Sequence, residues 1–123
     1  MYIDIFIPLQ PKSPNQLLNM HWSKRAKYKL EVQYEVWVAK NMARIYGRPL
    51  LSPVRIDVEF RLYRSVELDY DNAVGACKPF IDALIQLGLI PDDSPEHVTG
   101  VFVTQKRGPR AERGALIRIT PEG

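Results

Sequence analysis

One cysteine in 123 residues removes two chemistries at once. Cys77 alone can neither close an intrachain disulfide nor supply the ligand set of a cysteine zinc site, and its place among apolar neighbours reads as a plain core thiol. Long apolar runs are missing as well: nothing approaches the ~20 residues needed to span a bilayer. The start, Met1-Tyr2-Ile3-Asp4, has no basic head or apolar stretch of a signal peptide. A cytoplasmic protein with no membrane partner is expected. There is no Gly-rich phosphate loop, serine elbow or cysteine pair, and His21 and His97 lie too far apart for metal-ligand spacing. No small-molecule cofactor is therefore expected.

What is present fits one domain spanning 1–123. A hydrophobic fraction of 46% and a charged fraction of 25% are those of an ordinary globule large enough for a genuine core. The formal net charge of +3 permits a polyanionic partner without demanding one, and the distribution is more telling. Lys24, Arg25, Lys27 and Lys29 crowd the start of a helical segment, where cations oppose the helix dipole. Lys106, Arg107, Arg110 and Arg113 crowd a Gly/Pro-bearing loop. Phosphate contact would compensate for both placements; solvated surface charge is the plainer alternative.

Hydrophobic spacing predicts the elements. A strand begins at Tyr2 and runs towards Leu9. An amphipathic helix covers about 23–46, carrying Tyr28, Val32, Trp37, Val38, Met42 and Ile45, with Ser23 as cap and Gly47 as stop. Arg55 to Tyr63 alternates, with Ile56, Val58, Phe60 and Leu62 on one face and Arg55, Asp57, Glu59 and Arg61 on the other. Asp57 and Glu59, flanked by arginines, read as solvated. A second helix spans 72–87, with Val74, Cys77, Ile81 and Leu84 at helical spacing and Gly88 as a left-handed stop. Val98–Lys106 and Ala115–Thr120 read as a hairpin joined by the basic loop. The order β-α-β-α-β-β predicts an α+β fold, a small mixed sheet of about four strands with two helices packed on one face.

The chemistry concentrates between Asp69 and Asp93. Asp69 and Asp71 are two apart, so in extended backbone they project from one face and can share a cation. Asp71 or Asn72 also suits a helix N-cap, and Asp92-Asp93-Ser94-Pro95 alone is an ordinary turn. At about 100° per residue, Asp71, Gly75, Lys78 and Asp82 fall on one stripe. Gly75 costs roughly 1 kcal/mol of helix propensity, so its missing side chain makes room for something, either a phosphate or a neighbouring backbone. Carboxylates so close need a cation, and Mg²⁺ bound by one or two of them plus substrate phosphates supplies it.

Asp-x-Asp-Asn (Asp69 to Asn72), Lys-x-x-x-Asp-Ala-Leu (Lys78 to Leu84) and Gly-Leu-Ile-x-Asp-Asp (Gly88 to Asp93) resemble the RusA family of Holliday-junction resolvases. Pro11-Lys12-Ser13-Pro14-Asn15 is similar to that family's Pro-x-Ser-x-Asn segment. Lys78 stands six residues after Asn72, about one helical turn beyond the family's usual spacing, and a full turn leaves its facing unchanged. The resemblance implies Mg²⁺ on Asp69, Asp71 and Asp93, with Asp92 the weaker member of its pair, and a catalytic role for those three aspartates and Lys78. It implies a homodimer cutting branched DNA, a four-way junction above all. Asn15, Lys24, Arg25, Lys27, Lys106, Arg107 and Arg110 would touch the DNA. The alternative is a small basic non-catalytic DNA- or RNA-binding protein whose aspartates are caps and turns.

Overall fold

The computed structural model describes residues 2–46 and 52–122. Strand β1 (Ile3–Ile7) leads through the short helix α1 (Pro14–Leu18) to the long helix α2 (Trp22–Met42). Strand β2 (Val54–Leu62) leads to α3 (Tyr70–Ala76) and α4 (Lys78–Gln86), and the chain closes with β3 (Val98–Arg107) and β4 (Gly114–Pro121). The four strands lie in the order β1-β4-β2-β3. Pairing is antiparallel for β1 with β4 and for β4 with β2, and parallel for β2 with β3. The expected α+β class therefore holds, with a mixed four-stranded sheet and the two main helical segments against it. No described helix is long and apolar enough to cross a membrane.

The alternation in β2 decides which face is covered. Val54, Ile56, Val58, Phe60 and Leu62 are all buried, and Ile5, Ile7, Ala115, Ile117 and Ile119 join them from the flanking strands. Tyr28, Val32, Val36 and Ala39 of α2 and Phe80, Ile81 and Leu84 of α4 close over this face. Phe60 and Phe80 meet with ring centroids 5.9 Å apart. Burying each such ring contributes about 1.5–3 kcal/mol. On the other face Arg55 pairs with Asp57, Arg61 with Glu59 and Arg118 with Asp4, so Asp57 and Glu59 are ion-pair partners on the wet side, as their arginine flanks suggest.

Several expectations are corrected. The helix expected over 72–87 is two, divided at Cys77. Pro79 has no N–H to donate to Gly75 and its ring crowds that carbonyl, so α3 ends with Cys77 donating to Val74 instead, 3.1 Å. Val74 is exposed rather than part of the apolar face. At the far end Leu89 donates to the Leu84 carbonyl and Gly88 to that of Ile85, while Gly88 takes φ +78°, the left-handed stop expected there. Helix α2 is capped by His21, whose Nδ1 accepts from the Ser23 amide, and Ser23 is not the cap. It ends at Met42 because Arg44 takes the left-handed conformation, φ 58°. Gly47, the expected stop, lies outside the described residues.

The predicted hairpin does not form. β2 lies between β3 and β4, so those strands never pair. The β2–β3 pair is parallel and needs a crossover, which α3 and α4 provide. The basic segment after β3 passes over the end of β2, where Gly108 donates to the Leu62 carbonyl at 2.9 Å. It thus shares one end of the sheet with the segment that leaves β2 for Asp69.

Candidate functional site

Lys78 opens α4 directly after the break, and its ammonium sits between two carboxylates. Its Nζ lies 3.1 Å from Asp82 Oδ1, one turn along the helix, and 3.1 Å from Asp93 Oδ2 in the loop before β3. Both pairs are exposed and screened by solvent, so each adds little to stability. Their effect on charge is clearer. The hydrogen bonds to Asp82 and then Asp93 hold Lys78 above the ordinary lysine range, and Lys78 holds the Asp93 carboxyl below the ordinary carboxylate range. Asp92 shapes the loop: its Oδ1 accepts from the Asp93 amide at 2.6 Å.

Asp69 and Asp71 stand at the start of α3. Asp69 is the N-cap, in extended backbone with ψ 167°, and its Oδ1 accepts from the Asn72 amide at 2.9 Å while Oδ2 accepts from Asn72 Nδ2 at 3.2 Å. The cap is therefore Asp69, not Asp71 or Asn72. Asp71 is exposed and already helical, so the two aspartates do not alternate along a strand as the sequence suggests. Asp71 and Lys78 stand on different helices, at the first turn of α3 and the first residue of α4, on either side of the break at Cys77.

The acids thus form two stations, Asp69 with Asp71, and Asp82 with Asp93 around Lys78. Among the described residues no group of three or more His, Cys, Asp or Glu side chains gathers as a metal site. The expected three-aspartate cage is not preformed. Carboxylate oxygens are nevertheless the right donors for Mg²⁺, which takes one or two of them and completes its shell with water and substrate phosphates. The residues fit that open mode of binding and no closed one.

Gly75, Lys78 and Asp82 of the predicted stripe line a groove of about 1170 Å³ together with the apolar Pro14, Leu17, Val74, Pro79 and Ile85 and the polar Lys29, Gln33 and Gln86. Asp71 is not among the lining residues. The space left by Gly75 is occupied by Pro14, so neither a phosphate nor a backbone explains that glycine. The N-terminal motif is a docking device: Ser13 caps α1 reciprocally with Gln16, the Lys12 amide donates to the Tyr28 hydroxyl, and Asn15 is left exposed.

Lys24, Lys27, Lys106, Arg107 and Arg110 are exposed and Arg25 is half-buried. Among the described residues none of these six has a carboxylate within ion-pair reach, in contrast to the matched arginines on the outer sheet face. Two glutamines escape a motif-based reading. Gln10 Nε2 donates to the Tyr63 carbonyl at 3.3 Å, and Gln105 exchanges two hydrogen bonds with the backbone of Leu68. The signal for the second was a polar residue continuing the inward series Val101, Val103. Burial pushes the Cys77 thiol up to about 12, in keeping with a core thiol.

No model of a known protein family matches this chain, and no curated protein matches it.

Proposed function

We propose that the chain is a Mg²⁺-dependent endonuclease of the RusA type, cutting four-way and related branched DNA junctions as a homodimer. The observation that carries this reading is Lys78, an ammonium lining a groove and paired with two carboxylates, within the motif order Asp-x-Asp-Asn, Lys-x-x-x-Asp, Asp-Asp. A general base at neutral pH needs a lowered lysine pKa. Lys78 is shifted the other way, so its part is electrostatic: it meets charge building on the scissile phosphate or the leaving oxygen. To do so it exchanges a carboxylate for a phosphate oxygen.

Asp69 and Asp71, with Asp93, are the residues that would hold the metal. When bound, Mg²⁺ supplies an activated water and neutralises phosphate charge. Lys24, Arg25, Lys27, Lys106, Arg107 and Arg110, with Asn15, would grip the backbone, their charges being unmatched by protein carboxylates. Two-fold symmetry suits a junction that must be nicked in opposing strands. Leu30, Tyr34 and Trp37 form an exposed stripe on α2, opposite the face that packs on the sheet, and supply a surface for pairing.

A second reading, a small basic DNA- or RNA-binding protein without catalysis, is favoured by Asp69 serving as a helix cap. Labelled synthetic junctions incubated with Mg²⁺ separate the two. Cleavage by the wild type, lost in Asp71→Asn with junction binding retained or improved, is expected. Undiminished cutting by Asp71→Asn would remove Asp71 from the site, and binding without any cutting by the wild type would favour the second reading.

A further inference from the structure

Gln105 lies near the end of β3 on the face turned towards the helices, following Val101 and Val103, which pack on the core. Its side-chain amide does what a neighbouring strand would do. Oε1 accepts from the Leu68 amide at 2.7 Å, and Nε2 donates to the Leu68 carbonyl at 2.8 Å. Both backbone groups of one residue are satisfied by one side chain, across 37 positions of sequence. Leu68 immediately precedes Asp69.

The segment so held needs holding. Tyr63 to Asp69 contains no regular structure, and Arg64 within it takes a positive φ of 52°, so it is not stiffened by a ladder of its own. Gln10 fastens its beginning through the Tyr63 carbonyl, and Gln105 fastens its end. Immediately after Gln105's anchor, Asp69 turns into the cap of α3 through Asn72. The position of Asp69, and through the first turn that of Asp71, therefore depends on an edge-strand side chain that carries no charge and touches neither acid.

We propose that Gln105 is a positioning residue for the Asp69–Asp71 pair, setting where those two carboxylates stand relative to the end of the sheet. This rests on the endonuclease reading. A nearby polar side chain of no consequence would make one bond to a mobile loop; Gln105 makes two, in the paired geometry that also fixes direction.

Two variants test it. Gln105→Met keeps the length of the side chain and loses both bonds. Gln105→Glu keeps the acceptor for the Leu68 amide and loses the donor, so it remains informative if the methionine variant folds poorly. Amide hydrogen exchange at Leu68 and Asn72 reads the anchor without any reference to activity. It is expected to quicken about tenfold in Gln105→Met and less in Gln105→Glu, with exchange in β2 unchanged. On junction substrates kcat is expected to fall at least tenfold in Gln105→Met, with an intermediate loss in Gln105→Glu. The Mg²⁺ concentration for half-maximal cutting should rise, while metal-free junction binding stays within twofold.

Unchanged exchange at Leu68 and Asn72 would overturn the anchor itself. Quickened exchange with wild-type kcat and Mg²⁺ dependence would overturn the link to catalysis. A wild type that cuts no junction would instead overturn the functional reading, and with it the catalytic half of the proposal.

Discussion

Gly75 and Pro14 stand so close that a Cβ built on the glycine would lie 2.5 Å from Pro14 Cγ. Two motifs far apart in sequence, the N-terminal Pro-x-Ser-x-Asn segment and the helix between Asp71 and Lys78, are thereby fitted into one another. The proline ring cannot swing aside as a long flexible side chain would, because it occupies the first turn of α1 under the Ser13 cap.

Gly75→Ala is expected to destabilise the protein despite the better helix former. Overpacking costs about 1–3 kcal/mol, and the gain in propensity returns about 1. The net loss should be roughly 1 kcal/mol, read by urea denaturation as a lower midpoint with an unchanged slope. A midpoint equal to or above the wild type would mean that α1 yields freely, and the two motifs are then not locked together.

Lys78→Ala should lower the rate of junction cleavage by about 10²-fold, the cost of removing one preorganised group that meets transition-state charge. Binding should be little changed. A rate near that of the wild type would reduce Lys78 to an exposed helix ion pair.

The pH dependence follows from the two shifts at this pair. Asp93 is held low, so its contribution to folding is present above the unfolded aspartate value near ~3.9 and is lost as acid carries the pH through its lower folded value. Lys78 is held high, so its contribution is complete below the unfolded lysine value near ~10.4 and is lost as alkali carries the pH through its higher folded value. Between these limits Lys78 stays charged. A profile of cleavage rate against pH should show no falling limb from this lysine below about pH 10, whereas a limb present in the wild type and absent in Lys78→Arg would show that it titrates during the reaction.

Neutralising Arg107 and Arg110 together should weaken junction binding and flatten the plot of log affinity against log salt, by roughly one unit for each phosphate no longer neutralised. Filter binding across a salt series reads this. An unchanged slope would return the loop to ordinary solvated surface.

Cys77 should resist alkylation in the native protein. Only the thiolate reacts, and burial both shields this thiol from solvent and pushes it up to about 12, so little of it ionises near neutral pH. Mass spectrometry should find iodoacetamide on Cys77 after denaturation and not before; rapid native labelling would show that the α3–α4 break opens readily.

Periodicity was enough to define most elements, because each strand or helix must bury one side. The alternation Ile56, Val58, Phe60, Leu62 dictates a half-covered strand whatever its neighbours, and Gly88 ends a helix by its own backbone freedom. The α+β class was legible for the same local reason. Pairing partners were not. Alternation marks a strand's two faces and says nothing of its edges, so β3 and β4, consecutive in sequence, are separated by β2. Helix α2 was misread for a related cause: Trp37 and Met42, grouped in the sequence with Tyr28 and Val32, are exposed, because only packing against the sheet chooses the side of Tyr28, Val32, Val36 and Ala39 over that of Leu30, Tyr34 and Trp37. At the site, the residue types suited Mg²⁺, but the tertiary structure decided the hydrogen bonds. It gives Asp69 to Asn72, Asp93 to Lys78 and the backbone of Leu68 to Gln105, because a side-chain polar group takes whichever partner the packing brings within 3 Å or so.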